Sequence, residues 1–91
     1  MWVTVTAAGQ NVPLTAREFE ILALLMEHPK KVFTREQIYE QVWKDVALGS
    51  ENTVAVHIRH LRQKIEKDPG QPQLLLTVRG IGYKLAKEES A

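Results

Sequence analysis

TVRGIGYKL, residues 77–85, is the stretch on which the fold turns. Gly80 and Gly82 supply the first two glycines of a dinucleotide-binding fingerprint, but Leu85 holds the third position and a strand-like run follows in place of a helix. The phosphate-cradle reading fails. Taken as QLLLTV (73–78), RGIG (79–82) and YKLA (83–86), the residues make two short strands around a glycine-bearing turn. Arg79 then starts the turn, where two glycines remove side-chain bulk and let its guanidinium project. A projecting arginine suits a narrow minor groove, although an ordinary exposed turn residue has the same local sequence.

Upstream, NTVAVHIRHLRQKI (52–65) puts Val54, Ile58, Leu61 and Ile65 at the spacing of one helix face. Asn52, Thr53, Val56, His57, Arg59, His60, Gln63 and Lys64 fall elsewhere, and the stretch contains no carboxylate. Short polar and apolar side chains flanked by cations are what a helix in the DNA major groove requires. A solvated helix that happens to be cationic is the competing reading. Val56 is either tolerated exposure or a contact for a thymine methyl. His57 and His60 have the spacing to share a metal, but Arg59 intervenes, no carboxylate faces the same way, and the third histidine, His28, ends another helix. No metal site is expected.

TAREFEILALLMEH (15–28) opens with a capping-box pattern, Thr15 with Glu18, and offers Phe19, Leu22, Ala23 and Met26 as a core stripe before Pro29 stops the helix. TREQIYEQVW (34–43) repeats the signal with Thr34 and Gln37, and turns Ile38, Tyr39 and Val42 inward. KDVALGSEN (44–52) has lost the periodicity and reads as a loop, from which Ser50 or Asn52 can cap the next helix. At the N-terminus WVTVTA alternates as a strand, Gly9 and Asn11 provide a turn, and residues 12–14 return. The order hairpin, three helices, hairpin defines an α+β domain, with residues 87–91 as a frayed tail.

Ninety-one residues, 44% of them hydrophobic, suit one small domain. The absence of cysteine excludes disulfides, thiolate zinc sites and cysteine nucleophiles, and fits a reducing cytosol. The longest apolar run, ILALLM (21–26), is far short of the roughly 20 residues of a membrane span, and no signal peptide is evident. Net charge is +1 but uneven: residues 1–51 hold five Lys/Arg against seven Asp/Glu, residues 52–91 seven against four. The basic half points to an anionic partner. With no activated nucleophile and no carboxylate pair with a reason to be buried, neither catalysis nor a cofactor is expected.

The pattern TVxVHIRxLRxKIE, a Pro-Gly connection and then LxTVRGxGYKL resembles the C-terminal effector domain of OmpR/PhoB-type response regulators. LTxREFEILxLLxxHPxxVFTREQIYEQVW is similar to the same family, so the resemblance runs from about residue 12 to 85. It implies a winged helix-turn-helix with a short N-terminal β-sheet, three helices and a C-terminal β-hairpin wing. The third helix, about residues 50–67, would enter the major groove, and the wing, about 74–86, would bring Arg79 to the adjacent minor groove. By position, the resemblance assigns Thr53, Val56 and His60 to bases. It assigns Arg35, Trp43, His57, Arg59, Arg62, Thr77 and Tyr83 to phosphates, with Arg62 reaching past buried Leu61 by snorkelling.

The implied function is sequence-specific binding of double-stranded DNA in transcriptional regulation, as the cytoplasmic output domain of a two-component phosphorelay. Two copies would occupy tandem half-sites as a homodimer on DNA, a receiver domain would belong to the full-length protein, and loop 44–50 would lie where relatives touch RNA polymerase. The alternative is a winged helix used as a protein–protein interaction module, which would favour more apolar residues on the outward face than Val56 alone. Two departures stand out. His60 and Asn52 occupy positions where many members have arginine, which bears on base preference, and the family has more strands ahead of the helices than residues 1–14 can form.

Overall fold

Two of the three helices begin at reciprocal capping boxes. In the computed structural model, which describes residues 2–7 and 10–86, α1 (Ala16–Glu27) is capped by Thr15 and Glu18, and α2 (Arg35–Trp43) by Thr34 and Gln37. Each threonine hydroxyl accepts the N–H three residues on, while the partner side chain accepts the N–H of the threonine. The third helix, α3 (Asn52–Ile65), has the limits its periodicity predicts but not the expected cap. Glu51 occupies the cap position without a side-chain hydrogen bond, and the Asn52 amide oxygen accepts from Arg35 Nη1 at 3.0 Å. Neither Ser50 nor Asn52 therefore caps it.

Strands β1 (Trp2–Ala7) and β2 (Gln10–Thr15) pair antiparallel, from Trp2 opposite Thr15 to Ala7 opposite Gln10. Asn11, expected in the turn, lies within β2 opposite Thr6, whereas Gly9 and the tail 87–91 lie outside the described residues. A second antiparallel pair, β3 (Leu75–Val78) with β4 (Gly82–Leu85), forms the C-terminal hairpin. Gly80, at φ 77°, sits in its turn in a conformation that favours glycine.

The core gathers Leu14, Ile21, Leu25, Ile38, Val54, Ile58, Leu61 and Leu75, so every helix and both hairpins contribute. On α1 the buried face is Glu18, Ile21, Leu22 and Leu25. The expected stripe was rotated by one residue: Met26 is 61% exposed and Phe19 36%. Seven of the eight residues in FEILALLM are apolar or aromatic, so several phases fit the helical period. What fixes the phase is a carboxylate that a hydrophobic count passes over. Glu18 is 3% exposed and receives Lys64 Nζ of α3 at 2.6 Å.

Burial alone would raise the Glu18 pKa, but hydrogen bonds from Lys64 and the Thr15 N–H, with the Lys64 charge, outweigh it and hold it below the ordinary 4.5. A carboxyl depressed on folding stabilises the native state fully above its unfolded pKa, and that contribution is lost as pH falls through the folded value. Replacing Lys64 with methionine strands a buried carboxylate. It is expected to cost about 2 kcal/mol at pH 7, and the deficit should shrink below pH 4.5 as Glu18 protonates. Urea unfolding of both chains at pH 7 and pH 4 measures this.

Candidate nucleic-acid interface

Burial of Val54, Ile58 and Leu61, each 1% exposed or less, sets the rotation of α3 about its axis. The opposite face carries Asn52, Val56, Arg59, His60 and Gln63, all exposed, and Thr53 and His57 flank it half-buried. Val56 is 50% exposed, so an apolar patch stands among the polar and cationic groups. This face contains no carboxylate.

The residues assigned to phosphates fall into distinct groups. Arg35, Thr77 and Tyr83 line one cleft of about 510 Å³ between the start of α2 and the β3–β4 hairpin, together with Thr34, Gly80 and Gly82. Trp43 and His57 form a second group, their rings 5.1 Å apart and edge-on. Trp43 stacks on Tyr39 at 5.0 Å, and the Arg17 guanidinium lies 5.1 Å from its ring centre while Nη1 donates to the Val42 carbonyl at 2.9 Å. His57 Nδ1 is 2.8 Å from the Thr53 carbonyl oxygen. A carbonyl only accepts, so Nδ1 carries a proton here, and Nε2 is left for a partner outside the helix, which it can bond as a donor when the ring is imidazolium. Arg59 stands on the exposed face of α3, and Arg79 is exposed at the hairpin turn.

Arg62 is placed differently. Nε and Nη2 donate to the Leu75 carbonyl at 3.0 and 2.9 Å, and Nη2 also donates to Thr77 Oγ1 at 2.7 Å. Its guanidinium carbon lies 5.7 Å from the Tyr83 ring centre. One turn on, the buried Glu66 carboxylate accepts the N–H groups of Gln73, Leu74 and Leu75 at 2.8 to 3.2 Å. The sequence offered no signal for this capture, because acceptor and donors are seven to nine residues apart in an irregular segment.

The other side of the hairpin is held by Phe33. Its N–H and C=O exchange hydrogen bonds with Tyr83 at 2.9 and 2.8 Å, making residue 33 a one-residue third strand beside β4. Gly82 allows that approach: a Cβ there would stand 1.9 Å from the Phe33 carbonyl oxygen. Ile81, 59% exposed beside Arg79 at the turn, was not singled out in the sequence because an isolated apolar turn residue carries no pattern.

Three helices, an N-terminal strand pair and a C-terminal β-hairpin held against the third helix define a winged helix. Residues 9–85 match the family of C-terminal domains of transcriptional regulatory proteins. The DNA-binding response regulator MtrA of Mycolicibacterium smegmatis is 48% identical over 80 residues, covering 88% of this chain and 35% of the relative. The response regulator DrrB, a Thermotoga maritima OmpR/PhoB homologue, superposes with a TM-score of 0.82 at 38% identity over 92% of this chain and 38% of its own. The Klebsiella pneumoniae RstA DNA-binding domain, solved in complex with the RstA box, gives 0.81 at 29% identity over 91% of this chain and 82% of that one.

The chain belongs to this family of transcriptional regulatory C-terminal domains, of the OmpR/PhoB winged-helix type. It spans about a third of the length of the curated relatives it matches. Among the described residues, no helix is long and apolar enough to cross a membrane, and no three His, Asp or Glu side chains are grouped to hold a metal.

Gly82→Ala tests how the wing is seated. The methyl group must displace Phe33, so a loss of about 3 kcal/mol is expected, with faster amide exchange at Tyr83, both read from urea unfolding and hydrogen exchange.

Proposed function

We propose that this chain binds double-stranded DNA sequence-specifically in transcriptional control, α3 lying in the major groove and the β3–β4 wing at the neighbouring minor groove. The observation that carries the reading is the outward face of α3. Its rotation is fixed by the core, it is cationic without a carboxylate, and it holds short side chains at its centre. The RstA DNA-binding domain supports it, since the same fold is there in complex with the RstA box.

In this reading Thr53, Val56 and His60 face base edges. Arg59 and His57 take phosphates along α3, with Trp43 packed beside His57, and Arg35 and Tyr83 take them in the cleft between α2 and the wing. Arg79 enters the minor groove with Ile81 beside it. Arg62 and Thr77 are engaged with each other and with the Leu75 carbonyl, so no phosphate of their own is assigned to them. The domain acts by binding and not by catalysis, and it works in the cytoplasm. Two copies dimerise on tandem half-sites, the full-length protein carries a receiver domain, and loop 44–50 with its exposed Val46 and Leu48 faces RNA polymerase.

Arg59→Ala is expected to lower the slope of log K against log salt by about 1, the signature of one lost phosphate contact. An unchanged slope would remove Arg59 from the phosphate set. His60→Ala should change the bases recovered when the chain selects from randomised duplexes, by about 1–3 kcal/mol of discrimination at one position. Recovery of the same motif by both chains would mean that His60 reads no base.

A further inference from the structure

Leu75, the first residue of β3, lies opposite Leu85 of β4, yet its own N–H and C=O are both taken by side chains, that of Glu66 at the C-cap of α3 and that of Arg62 in its last turn. Glu66 accepts the N–H at 2.8 Å, and Arg62 grips the carbonyl oxygen through two nitrogens. The Glu66 N–H still bonds to the Arg62 carbonyl, so the last turn of α3 and the cap that follows it hold one backbone edge by opposite charges. Arg62 alone reaches further along the wing. Its Nη2 bridges the Leu75 carbonyl and the Thr77 hydroxyl, two residues on along the same strand edge. Charge-assisted bonds from a planar, forked group fix an orientation as well as a distance.

We propose that Arg62 is a positioning residue that sets the angle of the wing against the recognition helix, delivering Arg79 to the minor groove, and that it holds no phosphate itself. The inference rests on the DNA-binding reading. A phosphate ligand needs its donors turned outward, and here Nε and Nη2 are spent on the wing with the Tyr83 ring alongside. Lysine cannot substitute in this role, because a single ammonium on a flexible stem lacks the fork that joins the two wing oxygens. Lysine could substitute in a phosphate contact, where charge alone carries much of the effect.

The test is a double-mutant cycle, read as Kd on a duplex that the unmodified chain selects from randomised DNA. Arg62→Ala is expected to weaken binding about tenfold by itself but less than about twofold in an Arg79→Ala background, because the group it positions is then already gone. Arg62→Lys should weaken binding as alanine does, with the salt slope unchanged. Equal losses in both backgrounds would overturn the proposal. So would a slope lowered by about 1 in Arg62→Ala and restored in Arg62→Lys, which marks a phosphate contact. Should Arg62→Ala fail to fold, Thr77→Val removes one acceptor and keeps a strand-forming residue; the same coupling to Arg79 is expected, and additivity contradicts it. If the unmodified chain selects no duplex, the DNA-binding reading falls and the inference with it, whereas additivity removes the inference alone.

Discussion

Four side chains on one stripe, Val54, Ile58, Leu61 and Ile65, must be buried for this small domain to have a core, and they lie on the helix whose other face is the one proposed to meet DNA. Core and interface therefore share one rigid element. A rotation of α3 by a single residue, about 100°, would take Ile58 and Ile65 out of the core and turn Thr53 and His60 toward it. Hydrophobic burial, worth about 1.5–3 kcal/mol for each fully buried aliphatic side chain, thus sets the aim of the outward residues without contacting any ligand. The Glu18–Lys64 pair acts in the same sense, tying α1 to the C-terminal half of α3 at a defined phase.

The wing depends on α3 in turn. A two-stranded hairpin is marginal by itself, and this one is seated from both edges. Phe33 closes β4 through two backbone hydrogen bonds that only a glycine at position 82 permits. Glu66 and Arg62 close β3 through its backbone, and Leu75 anchors it in the core. The helix that would read the major groove and the hairpin that would reach the minor groove are accordingly one mechanical unit. Spacing between two contacts on DNA is useful only if it is fixed, and polar links of this kind fix it at small cost in buried apolar surface.

Much of this was legible in the sequence where the signals are local. Both capping boxes, the limits of α3 and the hairpin around Arg79 follow from spacing over a few residues. The phase of α1 was not, because FEILALLM is apolar almost throughout and the residue that fixes its phase, Glu18, is charged; its partner Lys64 is 46 residues away. The same reason hid the capture of residues 73–75 by Glu66 and the engagement of Arg62 with the wing. Family likeness assigns Arg62 to phosphates by position; its hydrogen bonds to Leu75 and Thr77 lie 13 and 15 residues away, beyond the reach of any local sequence signal. Arg35, Thr77 and Tyr83, far apart in sequence, are nonetheless brought to one cleft.

Everything above turns on which surface of the domain meets the duplex. An amide chemical-shift titration of the chain with a selected duplex reads that surface residue by residue. The largest changes are predicted at Thr53, Val56, Arg59 and His60 and at the wing turn around Arg79, with Phe19 and Met26 of α1 nearly silent. Changes concentrated on α1, with α3 and the wing turn unmoved, would contradict the proposed interface.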